Sequence, residues 1–209
     1  MRVLTYIFSL FVLGVAVAMN WSTLSYAQAN MEKLDHYLDN PAVCAFLDTI
    51  AYAEGTFTKN AYRLLFGFDI FDGYDDHPRR VVCVPFKGSQ LCSSAAGRYQ
   101  FSRVTWDKVV SLLNIEDFSP INQDRAAVYL LLESRAVSQL EHGRFRDALA
   151  CVKNIWASMP GSPYGQPTRR ASDLADFYVQ RLEYHKNRLS NKKRGRLWKG
   201  NTRRVVSAT

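Results

Sequence analysis

The stretch DNPAVCAFLDTIAYAEGT, residues 39–56, admits little but a buried helix with a hard stop. Asn40 is a good N-cap, and Pro41 at the first helical position forfeits no hydrogen bond. Val43, Phe46, Leu47 and Ile50 recur at the three- and four-residue spacing of one helix face. One more turn brings that face to Ala53 and Glu54, and Gly55 suits the left-handed residue that ends many helices. A carboxylate at the exit of a buried helix calls for a reason. Burial disfavours its charged form, and the negative end of the helix dipole pushes the same way. Glu54 therefore has the surroundings of a general acid. Position alone does not make it one, because most glutamates at helix ends are solvated caps.

Downstream, residues 61–92 are rich in aromatic and β-branched side chains broken by Gly and Asp, which predicts two or three short antiparallel strands between Tyr62 and Cys92. Helices then return. Ser102 is placed to cap a helix with Trp106, Val109, Val110 and Leu113 inward. Ser119 and Pro120 start another that runs to about Leu140. A third carries Leu149, Val152, Ile155 and Trp156, and a fourth spans ASDLADFYVQRLEYHKNRL. The expected fold is α+β, a mostly helical domain with a small sheet inserted after the first helix.

Charge divides the chain unevenly. Residues 1–178 hold 17 Lys+Arg against 18 Asp+Glu, whereas residues 179–209 hold 10 against 1. The body is neutral and the basic character belongs to the C-terminus. At the other end, no charged side chain lies between Arg2 and Glu32, and the apolar run Val3–Ala18 reads as an export signal with small residues for cleavage after Ala27 or Ala29. Retained, the uncharged run to Leu24 matches the roughly 20 residues needed to span a bilayer. Either way the remainder is expected to be exported, to a periplasm or cell envelope. We expect a leader or anchor over 1–29, a catalytic domain over 30–189 and a basic, mobile tail over 190–209.

Four cysteines suit an exported chain, and no CxxC pair or His–Cys cluster indicates a metal. Three pairings are open. We expect Cys83–Cys92 as a local staple across the turn at Lys87–Ser89 and Cys44–Cys151 as a tie between helices. The alternative leaves Cys44 and Cys151 as buried free thiols.

Several separated motifs, AFLDTIAYAEGT, DHPRRVV, SSAAGRYQFSRVTWD, DFSPINQDRAA, NIWASMPGSPYGQ and ASDLADF, occur in an order and spacing that resembles the lytic transglycosylases of the bacteriophage lambda endolysin type. These form glycoside hydrolase family 104, within the lysozyme-like fold. The resemblance covers about Ala42 to Gln180. It implies that Glu54 is the sole catalytic acid/base. Such a glutamate protonates the oxygen between N-acetylmuramic acid and N-acetylglucosamine. It then takes the proton of the muramyl C6 hydroxyl, which closes a 1,6-anhydro ring. No protein nucleophile, activated water or cofactor is needed, since the attacking hydroxyl is tethered. The same resemblance places Gly97, Arg98, Tyr99 and Gln100 of AAGRYQ in the substrate groove, with Tyr62, Tyr164 and Gln166 lining it. Phe68 stands where a second family glycine is expected.

Two other readings remain open at this point. A hydrolysing muramidase would pair Glu54 with a sheet aspartate, Asp69, Asp72, Asp75 or Asp76, at about 5–5.5 Å or about 6.5–9.5 Å. A non-catalytic glycan-binding component of a secretion apparatus or virion would keep the fold alone. His77, with no partner at ligand spacing, is expected to be structural. Peptidoglycan strands are the expected partner of a monomeric protein. The basic tail is either solvated and inert or a ligand for anionic wall polymer or an anionic membrane surface. Nucleic acid is the wrong compartment.

Overall fold

The computed structural model describes residues 28–206. The leader expected over 1–29 falls almost entirely outside them. The first described helix, α1, covers residues 28–38. The next, α2 (Pro41–Ala53), is the axis of the domain, and nine of its thirteen residues are buried. Asn40 caps it as expected, its side-chain oxygen accepting from Ala42 N and Val43 N.

A single 3-10 turn, Ala61–Arg63, follows, and then a two-stranded antiparallel hairpin, β1 (Val82–Phe86) and β2 (Ser89–Ser93). Tyr62 is thus in a 3-10 turn, not on a strand. Around it the chain makes only isolated bridges, Leu64 to Ile70 and Leu65 to Ala96. Gly67, Phe68 and Gly73 all have positive φ, so the stretch cannot extend into a regular ladder.

The remaining helices are α3 (Arg103–Leu113), α4 (Pro120–Glu133), α5 (Ala136–Glu141), α6 (Phe145–Val152) and α7 (Ala171–Val206). Ser102 caps α3 by accepting from Thr105 N at 3.1 Å. The single helix expected up to Leu140 is broken. The Ser134 hydroxyl donates to the Leu131 carbonyl, and Arg135 turns left-handed at φ 65°. The redirected α5 still buries Ala136, Val137 and Leu140. α6 stops at Val152, leaving Ile155 half-buried in the turn that delivers Trp156 to the core. The last helix does not end near Ser190. Its backbone stays helical to Val206, as a proline-free run of Lys and Arg permits.

α7 packs along α2. Between them and α3–α6 lies one core in which Trp106 meets Phe118 edge-on at 4.5 Å. No helix among the described residues is long and apolar enough to cross a membrane.

Cys83 and Cys92 lie directly opposite each other on the hairpin and are bonded. The tie expected between Cys44 and Cys151 is not formed, and both are free thiols. Cys44 donates instead to the Leu38 carbonyl at 2.9 Å, while Cys151 packs against the main core.

Candidate active site

Glu54 is the C-cap of α2, and the turn that ends the helix fixes its direction. Gly55 N donates to Tyr52 O at 3.2 Å and Thr56 N to Ala51 O at 2.8 Å, with Gly55 at φ 75°. This paired closure is the Schellman motif. The Thr56 hydroxyl bonds the Arg98 carbonyl, tying the helix end to the turn at residues 97–100.

The Glu54 carboxyl faces a groove of about 720 Å³ between the hairpin side and the α3–α4 side. Burial pushes its pKa up from 4.5 to about 7, a rise moderated by hydrogen bonds from the Ser158 hydroxyl and backbone N–H. The hydroxyl donates to Oε1 at 2.6 Å. With its pKa raised into the neutral range, Glu54 is placed to exchange a proton near pH 7. Ser158 was not singled out from the sequence. It lies in the WASMPG loop after α6, and no local pattern pairs it with a residue 104 positions away.

Of the residues expected to bind substrate, Gln100, Tyr164 and Gln166 line the groove. Gln100 sits at φ 46° with its amide nitrogen donating to Gly97 O at 3.0 Å and Leu64 O at 3.2 Å. Tyr164 is anchored by its hydroxyl on the Asn154 carbonyl at 2.6 Å, and the residue is 55% exposed.

Tyr62, Gly97, Arg98 and Tyr99 are elsewhere. They belong to a polar cluster, buried at Gly97 and Tyr99 and half-buried at Tyr62 and Arg98, outside the groove lining. Tyr62 and Tyr99 both donate to Asp124, at 3.0 and 2.7 Å. The Arg98 guanidinium lies over the Tyr62 ring at 5.4 Å and donates to Asp48. Asp48 also accepts from Arg181 and His185 of α7, each at 2.7 Å. Burial alone would raise the Asp48 pKa, but these donors and the Arg98 charge hold it below the usual carboxylate range. The cluster fastens α2 to α7 and to the turn before α3. Gly97 is there for space, since a Cβ would meet Gln123 Oε1 at 2.2 Å.

None of Asp69, Asp72, Asp75 and Asp76 lines the groove. Asp76 is held by Arg79, which also reaches Asp107 at 2.6 Å. The other acidic residue lining the groove is Glu133, ion-paired with Lys108 at 2.9 Å. His77 is structural: one ring nitrogen meets the Phe101 carbonyl at 2.9 Å and the other accepts from Arg79 N.

Fold and groove together define a lysozyme-like, peptidoglycan-cleaving glycosidase. The structure matches that of bacteriophage lambda lysozyme complexed with a chitohexasaccharide, with a TM-score of 0.64 at 37% identity over 68% of this chain and 94% of that one. It also matches another lysozyme structure from bacteriophage lambda, with a TM-score of 0.59 at 35% identity over 70% and 94% of the two chains. The Endolysin family profile matches residues 44–183, and the chain belongs to that family. It is 39% identical over 136 residues to the endolysin of Escherichia phage lambda, which is 62% of this chain and 84% of that protein. It is 39% identical over 138 residues to the endolysin of Escherichia phage P2, covering 59% and 82%.

Proposed function

We propose that this endolysin is an exported lytic transglycosylase that cleaves the bond between N-acetylmuramic acid and N-acetylglucosamine, with Glu54 as its only acid/base. The observation that carries the reading is the state of Glu54: a groove-facing carboxyl with a pKa of about 7 whose polar partner is a serine, not a second carboxylate. The binding of a chitohexasaccharide by the lambda lysozyme supports a glycan in the corresponding groove.

In the first half, protonated Glu54 gives its proton to the bridging oxygen as the C1–O bond breaks. In the second, the carboxylate takes the proton from the muramyl C6 hydroxyl as O6 bonds to C1. Glu54 ends protonated, the leaving sugar carries a free 4-hydroxyl, and the muramyl end is a 1,6-anhydro ring. The Ser158 hydroxyl on Oε1 supports the carboxylate between these steps and leaves Oε2 to handle the proton. A hydrolysing enzyme would need a base for water. Glu133, the other acid on the groove, is committed to Lys108. Export through the N-terminal segment, a monomeric state and attachment of the basic α7 extension to anionic wall polymer or membrane complete the proposal.

Mass spectrometry of digested sacculi tests it. Anhydromuropeptides are expected from the wild-type protein and none from Glu54→Gln. Reducing muramyl ends would establish a hydrolase instead, and undiminished cleavage by Glu54→Gln would remove Glu54 from the chemistry.

A further inference from the structure

Phe68 is an aromatic residue that the chain holds in an unfavourable backbone conformation and leaves uncovered. Its φ is 73°, in the left-handed region where a side chain with a Cβ is disfavoured and glycine is at home. The residue is 62% exposed although its side chain is large and apolar. Neither local preference nor burial accounts for phenylalanine here, and strain of this kind is retained where the surroundings enforce it.

The surroundings do enforce it. Leu65 closes the loop twice, accepting from Phe68 N at 2.9 Å and donating to Asp69 O at 2.7 Å. Phe66 N is bound to Ala95 O at 2.8 Å. Gly67 lies against β1, where a Cβ would come within 3.4 Å of Val82 and Val84. The tip of the loop is therefore fixed against the hairpin, and residue 68 is presented to the groove. There the far edge of the Phe68 ring reaches Gly55, to within 3.2 Å of where a Cβ would stand. Gly55 directly follows Glu54. The ring thus sits beside the acid on the groove lining, in a residue that is largely exposed.

We propose that Phe68 is a stacking platform for the sugar ring bound next to the scissile bond, an element of substrate recognition. The chemistry fits a pyranose, whose C–H-bearing face packs on an aromatic face while its hydroxyls stay with polar groups and water. It would act together with Tyr164, the other exposed aromatic on the groove. The inference rests on the glycan-cleaving reading above.

The experiment compares wild type with Phe68→Gly, Phe68→Asn and Phe68→Trp, by thermal melting and by steady-state kinetics on purified sacculi. Gly and Asn both accept a left-handed backbone, so both variants should fold, and Phe68→Gly should melt higher than wild type because it relieves the strain. Both should nevertheless show KM raised about tenfold with kcat changed far less, the signature of lost binding and not lost chemistry. Phe68→Trp should keep a KM near that of wild type, and its fluorescence should change on adding chitohexaose. A phenylalanine kept only for packing would give the reverse, a lower melting temperature and an unchanged KM. Unchanged KM in Phe68→Gly and Phe68→Asn would overturn the inference while leaving the enzyme reading intact. Failure of the wild-type protein to degrade sacculi would overturn both.

Discussion

Ser158 donates its hydroxyl to Oε1 of Glu54 across 2.6 Å, joining the loop after α6 to the end of α2. It tempers the pKa rise that burial imposes on this half-buried, groove-facing carboxyl. Burial raises the Glu54 pKa, and the serine opposes that by stabilising the charged form.

Ser158→Ala removes the hydroxyl and keeps the backbone N–H, so the Glu54 pKa should climb above about 7. Activity that depends on protonated Glu54 falls as pH rises through that value. Its alkaline limb should therefore move upward by about one pH unit, with a loss of about tenfold in kcat from the less stable carboxylate. A pH–rate profile of the variant checks this. A limb that stays put or moves down would remove Ser158 from control of the proton.

The same raised pKa makes Glu54 costly to the fold. Between 4.5 and about 7 the native state binds the proton more tightly than the unfolded chain does. The stability this contributes is complete below pH 4.5 and is lost as pH rises through about 7. Glu54→Gln stays neutral, so it should be inactive yet more stable than wild type above pH 8, by about 3 kcal/mol. Denaturant midpoints at pH 5 and pH 8.5 check the sign: the gap should be small at the first and large at the second.

Asp48 behaves in the opposite sense. Its lowered pKa means that its contribution is present above about pH 4 and is lost as pH falls through the folded value. Asp48→Ala leaves Arg98 and Arg181 in a confined site without their shared acceptor, and about 3–5 kcal/mol should go with it. Hydrogen exchange should rise along α7 up to His185. A truncation meant to remove only the basic tail should keep His185 and end after Leu189.

What could be read from the sequence was whatever a short window encodes. The α2 stripe, its Asn40–Pro41 start and its Gly55 stop each follow from neighbours within a few positions. So does the Ser102 cap. The motif AAGRYQ was also visible, but not which of its side chains face outward. Gln100, on a left-handed backbone, lines the groove, while Arg98 and Tyr99 reach Asp48 and Asp124. Those two acids lie 50 and 25 residues from their partners. The Ser158 contact and the break at Arg135 are likewise products of tertiary packing.

The cysteines allow a simple check. With the disulfide confined to Cys83 and Cys92, the denatured and unreduced protein should show two reactive thiols. Cys44 should stay silent in the native state at pH 7.5. Burial, then the negative charge of Asp48, push its thiol up to about 11, so almost none is thiolate. Rapid native labelling of Cys44, mapped by peptide mass, would contradict that environment.

Gly97 separates the two roles proposed for the AAGRYQ turn. Its φ of 77° already disfavours any side chain. A Cβ there would stand 2.2 Å from Gln123 Oε1 and 2.9 Å from the Phe118 ring. Gln123 has no freedom to retreat. Its Oε1 accepts from Arg98 N at 2.9 Å, and its nitrogen donates to Phe118 O at 2.8 Å and Tyr62 O at 3.0 Å. Gly97→Ala must break part of this buried set, so the melting temperature should fall by about 10 °C, equivalent to about 3 kcal/mol. Because Gly97 does not line the groove, KM on sacculi measured well below the melting point should hardly change. A raised KM with an unshifted melting temperature would return Gly97 to the binding surface and move the groove's boundary inward.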